Sequence, residues 1–194
     1  MTATSYRALA AEPRGIAGQL DCADERALSL TRGLTEGQAN WRAQATHPSV
    51  CEALAGYVDW LRRAVPVLRE GVHGVRSGWR ARLGMVGSGW WWQLVPGVVE
   101  WAPALPRLGS RARDESARRP VRAVMAEVLA LHAEVRQLAR EGERRDLRIA
   151  QVRLPGVGVV RPPLDVALAV VPAMARRALR RAERVRLDAG FPCR

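Results

Sequence analysis

The stretch Pro48-Ser-Val-Cys-Glu-Ala-Leu-Ala-Gly-Tyr57 contains the clearest helix start in the chain. Ser49 and Glu52 form an S-x-x-E pattern, in which each side chain can accept a hydrogen bond from the other residue's free backbone N–H. Apolar residues then recur every three or four positions as far as Val72, which is the spacing of one helical face. This segment therefore predicts an amphipathic helix over about residues 49–73.

Three further segments have the same apolar periodicity and predict three more helices, over about residues 14–33, 119–141 and 163–187. Pro120 and Pro163 suit the first turns of the last two helices, because proline needs no hydrogen-bond partner there. The four apolar stripes predict an all-α fold around one core. The residues expected to be buried in it include Leu20, Leu54, Leu61, Val128, Leu131, Leu168 and Val171.

Two connections between the predicted helices are long. Residues 74–118 are rich in Gly, Pro and Trp, and residues 143–162 include a Pro-Gly turn. Long connections between helices predict crossovers in addition to short hairpins. The length of 194 residues suits a single domain covering 1–194, with enough chain to bury one core.

The chain is strongly basic, with a formal net charge of +12. All 31 basic residues are Arg, and the overall usage is typical of a GC-rich bacterial genome, so part of the charge is compositional. Six arginines between Arg176 and Arg186 fall opposite the apolar stripe of the last helix, which predicts a solvated outer face. No nucleic-acid-binding motif accompanies them, so we do not expect nucleic acid as a partner.

Nothing in the sequence predicts export or membrane insertion. The beginning of the chain lacks a basic start followed by a continuous apolar run. The most apolar stretch, from Leu83 to Leu105, is interrupted by Gln93, Pro96 and Glu100. We therefore expect a cytoplasmic protein that does not use a membrane as its partner.

Two regions of the chain resemble the DinB/YfiT-like family. The first is Leu34-Thr-Glu-Gly-Gln-Ala-Asn-Trp-Arg42 together with the stretch 48–57 quoted above, and the second is Arg181-Ala-Glu-Arg-Val-Arg186 with the closing Gly190-Phe-Pro192. The resemblance implies a DinB/YfiT-like four-helix bundle with long crossover connections. Residues 74–118 add nothing to it.

Members of that family bind a divalent metal through one histidine on the second helix and a His-x-x-x-His pair on the last. Here Gly56 stands at the first position, and Met174 and Ala178 stand at the other two. Gly and Ala offer no ligand atom, and a thioether is a poor ligand for Zn²⁺ or Ni²⁺. The resemblance therefore implies a lost metal site, no cofactor, and a candidate pocket at Gly56, Met174 and Ala178.

The three histidines of the chain do not rebuild the metal site. His47, His73 and His132 form no pair at the spacing of one helical turn. The plain interpretation of His132 is a flanking or hydrogen-bonded helix residue. A relocated metal site that combines His132 with Cys51, Glu52 or Asp59 is the alternative.

Tryptophans are concentrated in the connection 74–118. Trp90, Trp91, Trp92 and Trp101 are interpreted first as side chains that fold back and cover the open end of the bundle. A pocket lid or a homodimer contact is the next interpretation. Membrane docking through these indoles is the third.

We therefore expect a non-catalytic small-molecule-binding or interaction protein. The three positions that bind the metal in the family carry residues that cannot bind it here. The alternative is an enzyme resembling the thiol-dependent transferases and isomerases among its relatives, working without the usual metal or with a relocated one. A second alternative is binding to polyanions or membrane surfaces through the Arg and Trp clusters. The metal content of the purified protein distinguishes the first two functions. Binding to polyanions or anionic vesicles that weakens as the salt concentration rises identifies the third.

Overall fold

A computed structural model describes residues 15–44, 47–74, 95–101, 119–143, 145–148, 150–156 and 161–192. These residues are mostly helical and include no β-strand, only an isolated antiparallel bridge between Gln151 and Pro163. The all-α prediction is confirmed. The helices are α1 (Ile16–Thr31), α2 (Glu36–Asn40), α3 (Val50–Gly74), α4 (Val95–Trp101), α5 (Val121–Gly142) and α6 (Leu164–Arg186).

The four long helices α1, α3, α5 and α6 correspond to the four predicted segments. Helix α3 packs against α5 and α6, and α1 packs against the same two helices. The short helices lie outside this arrangement, with α2 against α3 and α4 against α6. Apolar side chains from all four long helices meet in one buried core.

Helices α3 and α5 run in the same direction. Ion pairs join Arg62 to Glu127 and, seven residues later on both helices, Arg69 to Glu134. Parallel neighbours cannot be joined by a tight hairpin, so the 46-residue connection 75–120 between α3 and α5 must cross over. The sequence predicted such a crossover from the length of this connection alone.

Helices α3 and α6 run in opposite directions. Gly71, near the end of α3, faces Leu164 at the start of α6, and a Cβ at Gly71 would lie 3.0 Å from Leu164 Cδ1. Tyr57, near the start of α3, donates a hydrogen bond to the carbonyl oxygen of Val171 at 3.3 Å. The Leu164 side chain therefore packs directly against the backbone of Gly71.

The predicted capping box at the start of α3 is present. The Ser49 N–H donates to Glu52 Oε2 at 2.8 Å, and the Glu52 N–H donates to Ser49 Oγ at 3.1 Å. Arg42 forms an ion pair with the same Glu52 carboxylate. The Glu52 carboxylate is thus engaged by the Ser49 N–H and by Arg42, as expected for a capping residue and not for a general base.

The buried face of α5 differs from the predicted apolar stripe at one position. Leu20, Leu54, Leu61, Val128, Leu168 and Val171 are buried as expected, but Leu131 is only half-buried. His132 takes the core position instead and is 1% exposed. The expectation for Leu131 was wrong because His132 has polar partners on the neighbouring helices, described below.

The arginines of α6 do not form a uniformly solvated face. Arg176 and Arg180 form ion pairs with Glu100 of α4, and Arg177 is buried with 7% exposure. Only Arg181, Arg184 and Arg186 are exposed. The predicted solvated face is therefore wrong for its first half, because α4 packs there.

Among the residues that the structure describes, no helix combines the length and the apolar character needed to cross a membrane. Most of the apolar stretch 83–105 lies outside the described residues.

The difference in burial between Leu131 and Leu138 can be tested with two matched substitutions on α5. We expect Leu138→Ala, at a position that is 3% exposed, to lower the free energy of unfolding by about 2–5 kcal/mol. Leu131→Ala should cost roughly half of that or less, because its side chain lies at the edge of the core. Urea denaturation of both variants measures the difference. Equal costs would contradict the partial burial of Leu131.

Candidate functional site

The three positions expected to form a pocket lie on the two helices that pack antiparallel. Gly56 is half-buried on α3, and Met174 and Ala178 are buried on α6 at 6% and 7% exposure. A Cβ placed at Gly56 would meet no atom within 4 Å, so there is open space beside this glycine. The convergence of the three positions on one pocket stays a prediction.

The tryptophans proposed as a lid or interface lie outside the described part of the structure. Trp90, Trp91 and Trp92 fall between α3 and α4. The backbone of Trp101 ends α4, but its side chain is not among those described. Their predicted role stays a prediction.

The proposed partners of a relocated metal site have other contacts. Cys51 donates a weak hydrogen bond to the Arg119 carbonyl oxygen at 3.4 Å, and Asp59 lies 3.8 Å from Arg62. Across the described residues, no group of three or more His, Cys, Asp or Glu side chains could hold a metal ion. His132 therefore does not combine with Cys51, Glu52 or Asp59, and this alternative is not supported by the geometry.

His132 instead belongs to a buried polar chain that joins three helices. Its Nδ1 lies 2.5 Å from Asp24 Oδ1 on α1, and its Nε2 lies 2.7 Å from Tyr57 Oη on α3. Asp24, Tyr57 and His132 are 8%, 3% and 1% exposed. We call these three residues the buried polar chain.

Both ends of the buried polar chain have further partners. At the α1 end, Arg136 of α5 hydrogen-bonds to Asp24, and its Nε lies 2.9 Å from Asp21 Oδ1. That second contact is ionic, since the N–H is not aligned for a hydrogen bond. At the other end, Tyr57 Oη also reaches the Val171 carbonyl of α6. The polar contacts therefore involve all four long helices.

The geometry fixes the donor at the Asp24 end of the buried polar chain and allows two arrangements at the Tyr57 end. The Asp24 carboxylate accepts, so His132 Nδ1 carries a proton and donates. With a neutral imidazole, Tyr57 O–H donates to His132 Nε2. With an imidazolium, His132 Nε2 donates to Tyr57 Oη, and the Tyr57 hydroxyl turns to the Val171 carbonyl. Both protonation states of His132 are thus fully hydrogen-bonded.

The order carboxylate, imidazole, hydroxyl is that of a nucleophilic triad, but this hydroxyl is not activated. Burial, followed by the negative charge of Asp24, raises the pKa of Tyr57 well above its usual value. Tyr57 therefore remains a phenol that donates hydrogen bonds. The side chains of Tyr57 and His132 are buried, so the buried polar chain links helices inside the core.

Tyr57 is also held by an aromatic neighbour. Its ring stacks on Trp60 with centroids 6.2 Å apart and planes 14° apart. The Trp60 indole N–H donates to the Pro155 carbonyl at 2.8 Å, which ties the connection before α6 to α3. The orientation of Tyr57 is thus fixed by packing as well as by hydrogen bonds.

The pairing within the buried polar chain was not predicted from the sequence, although the sequence contains one signal of it. Asp24 lies four residues after Leu20 and three before Ala27, which places a carboxylate on the apolar stripe of α1. His132 has the same relation to Val128 and Val135 on α5. A carboxylate and an imidazole on two core-facing stripes are expected to be buried only as partners.

Cys51 is a buried thiol beside the start of α3. Burial, together with the nearby Glu36 and Glu52 carboxylates and against the effect of Arg119, raises the pKa of this thiol to about 11. Thiolate is the reactive form of cysteine, so burial and the raised pKa both disfavour reaction of Cys51 at neutral pH. Cys22, by contrast, is exposed on α1.

The importance of the buried polar chain can be tested with Tyr57→Phe. We expect a loss of about 1–3 kcal/mol in the free energy of unfolding at neutral pH, because His132 Nε2 loses its partner in the core. The variant should also show a smaller loss of stability as the pH rises above 10, because the folded state keeps Tyr57 protonated whereas the unfolded state ionises near 10.0.

Chemical denaturation at several pH values measures both effects. The Cys51 thiol contributes to the alkaline loss equally in both proteins and so cancels. Equal stability at neutral pH, or an unchanged alkaline slope, would show that Tyr57 is not in the buried polar chain.

The inertness of Cys51 can be measured directly. In a Cys22→Ser/Cys193→Ser variant, we expect Cys51 to react with a disulfide reagent only after unfolding, because it is buried and its pKa is about 11. A Cys51→Ser/Cys193→Ser variant, which leaves the exposed Cys22, is the matched control and should react at once. Rapid labelling of folded Cys51 would contradict its placement in the core.

Comparison of the chain with protein-family models, with curated proteins and with solved structures found no match. The resemblance to the DinB/YfiT-like family thus depends on the residues quoted from the sequence.

Proposed function

We propose that this protein is a DinB-like four-helix bundle with a lost metal site, which binds a small molecule without catalysing a reaction. Four long helices with a crossover between α3 and α5 support this architecture. The two regions of resemblance also come together, since Trp41 packs edge-on against Phe191 with centroids 5.5 Å apart. Gln38 donates to the Pro192 carbonyl at 2.9 Å in the same place.

The observation that carries the proposal is the open space beside Gly56. A glycine inside a helix costs roughly 0.5–1 kcal/mol relative to alanine. Packing does not require glycine here, because an added Cβ would touch nothing within 4 Å. At Gly71, in the same helix, a Cβ would lie 2.8 Å from Val152 Cγ1. Space for a ligand is the function that we assign to Gly56.

The chemistry available at these positions favours binding over catalysis. Met174 contributes a flexible apolar thioether, and Ala178 contributes a methyl group. Neither these side chains nor the Gly56 backbone supplies a general base or a nucleophile of the kinds that enzymes use. The pocket that we propose is thus a binding site with apolar walls.

The proposal can be tested by restoring the histidines of the family. In Gly56→His/Met174→His/Ala178→His, we expect stoichiometric binding of Zn²⁺ or Ni²⁺, because three imidazoles would converge with open metal positions. The natural chain should not bind these metals. Isothermal titration calorimetry of metal-free protein measures both, and the steric cost of the added rings is about 1–3 kcal/mol.

The matched control is Gly56→Ala/Met174→His/Ala178→His, which keeps the pair on α6 and removes only the ligand on α3. This control should bind more weakly than the triple histidine variant, since two ligands one turn apart hold a metal less well than three. Circular dichroism verifies that both variants are folded. Equal affinities would show that Gly56 does not face Met174 and Ala178. Stoichiometric, micromolar binding by the natural chain would refute the lost metal site.

A further inference from the structure

Arg177 of α6 is a buried cation with one nitrogen left without a partner. The residue is 7% exposed, and its Nη1 donates to the Val99 carbonyl of α4 at 3.1 Å. Its Nη2 is enclosed and has no hydrogen-bond partner. Buried N–H groups in folded proteins are nearly always paired, so this donor requires an explanation.

The only carboxylate of α4 serves two other arginines. Arg176 Nε donates to Glu100 Oε2 at 2.8 Å, and Arg180 donates to Glu100 Oε1 through Nη1. Arg180 Nη2 also donates to the Glu100 carbonyl oxygen at 3.0 Å. Both oxygens of Glu100 are thus in use, and Arg177 is left with a neutral carbonyl.

The surroundings of Arg177 carry excess positive charge. Arg181 follows it by one helical turn on the same face and is exposed. In the part of the chain that the structure describes, neither Arg177 nor Arg181 forms an ion pair. Burial, and then the charges of Arg181 and Arg180, lower the pKa of Arg177. A guanidinium nevertheless stays charged at neutral pH, so this face favours an anion.

We propose that Arg177 anchors a binding site for a small oxyanion at the junction of α4 and α6, with Arg181 at its solvent side. The ligand is a carboxylate or a phosphate group, because a planar guanidinium matches oxygen atoms of either group with short, charge-assisted hydrogen bonds. Arg176, Arg180 and Glu100 hold α4 in place beside the site. This inference goes beyond the proposed function and uses neither Gly56 nor a metal.

The site can be tested by titrating the full-length protein with sodium phosphate and, separately, with sodium acetate at constant ionic strength set with sodium chloride. We expect saturable binding of at least one of the two anions in calorimetry, with a matching rise in melting temperature. Binding of phosphate alone identifies a phosphate site, and binding of acetate alone identifies a carboxylate site. Absence of saturable binding of either anion overturns the proposal.

Arg177→Met is the decisive variant, because methionine fills the space without a charge. We expect it to fold as well as the natural chain in chloride buffer, since it removes a buried cation that lacks a counter-ion. Its affinity for the anion should fall roughly tenfold or more, because a charge-assisted contact is lost. Arg184→Met, which removes an exposed arginine from the same helix, is the matched control and should bind like the natural chain.

Two results would contradict the assignment to Arg177. One is an anion affinity in Arg177→Met equal to that of the natural chain, which would mean that the anion associates with the basic surface in general and not with Arg177. The other is an equal loss of affinity in Arg184→Met. If Arg177→Met does not fold, Arg177→Lys keeps the charge but not the planar fork, and it should bind the anion more weakly than Arg184→Met. Equal binding by Arg177→Lys and Arg184→Met would then overturn the proposal.

Discussion

The hydrogen bonds of His132 to Asp24 and Tyr57 are the constraint on which the packing of the long helices depends. Three helices each place one polar side chain in the core, and a buried polar atom without a partner is costly. A shift of any helix by one residue would separate these atoms. The buried polar chain therefore adds a requirement on helix register to that of the close-packed apolar side chains.

Helix content and helix ends could be predicted from the sequence because they depend on local spacing. The Ser49–Glu52 box and the apolar periodicity of α3 need no knowledge of other segments. That His132 and not Leu131 lies in the core of α5 could not be predicted in this way. Periodicity counts Leu131 as apolar and His132 as polar, whereas the core position is decided by a carboxylate on α1, more than a hundred residues earlier in the chain.

The residues of the candidate site could not be predicted from local sequence patterns either. Gly56, Met174 and Ala178 were identified through a family resemblance, since nothing in their chemistry marks them. Arg177 falls opposite the apolar stripe of α6, so periodicity predicted a solvated side chain. Its burial depends on the docking of α4, a helix of seven residues within a long connection. The position of such a segment is determined by tertiary contacts that no local pattern encodes.

The order of the helices has a consequence for how the chain reaches its folded state. Helix α1 packs against α5 and α6, which are the last two helices to be synthesised. Contacts between distant segments slow folding, because a long loop must be closed before they form. While the ribosome is still producing the connection after α3, the apolar face of α1 has neither of these partners. The nascent chain therefore exposes this face until its final third has emerged, which is the interval in which a chaperone would be of most use.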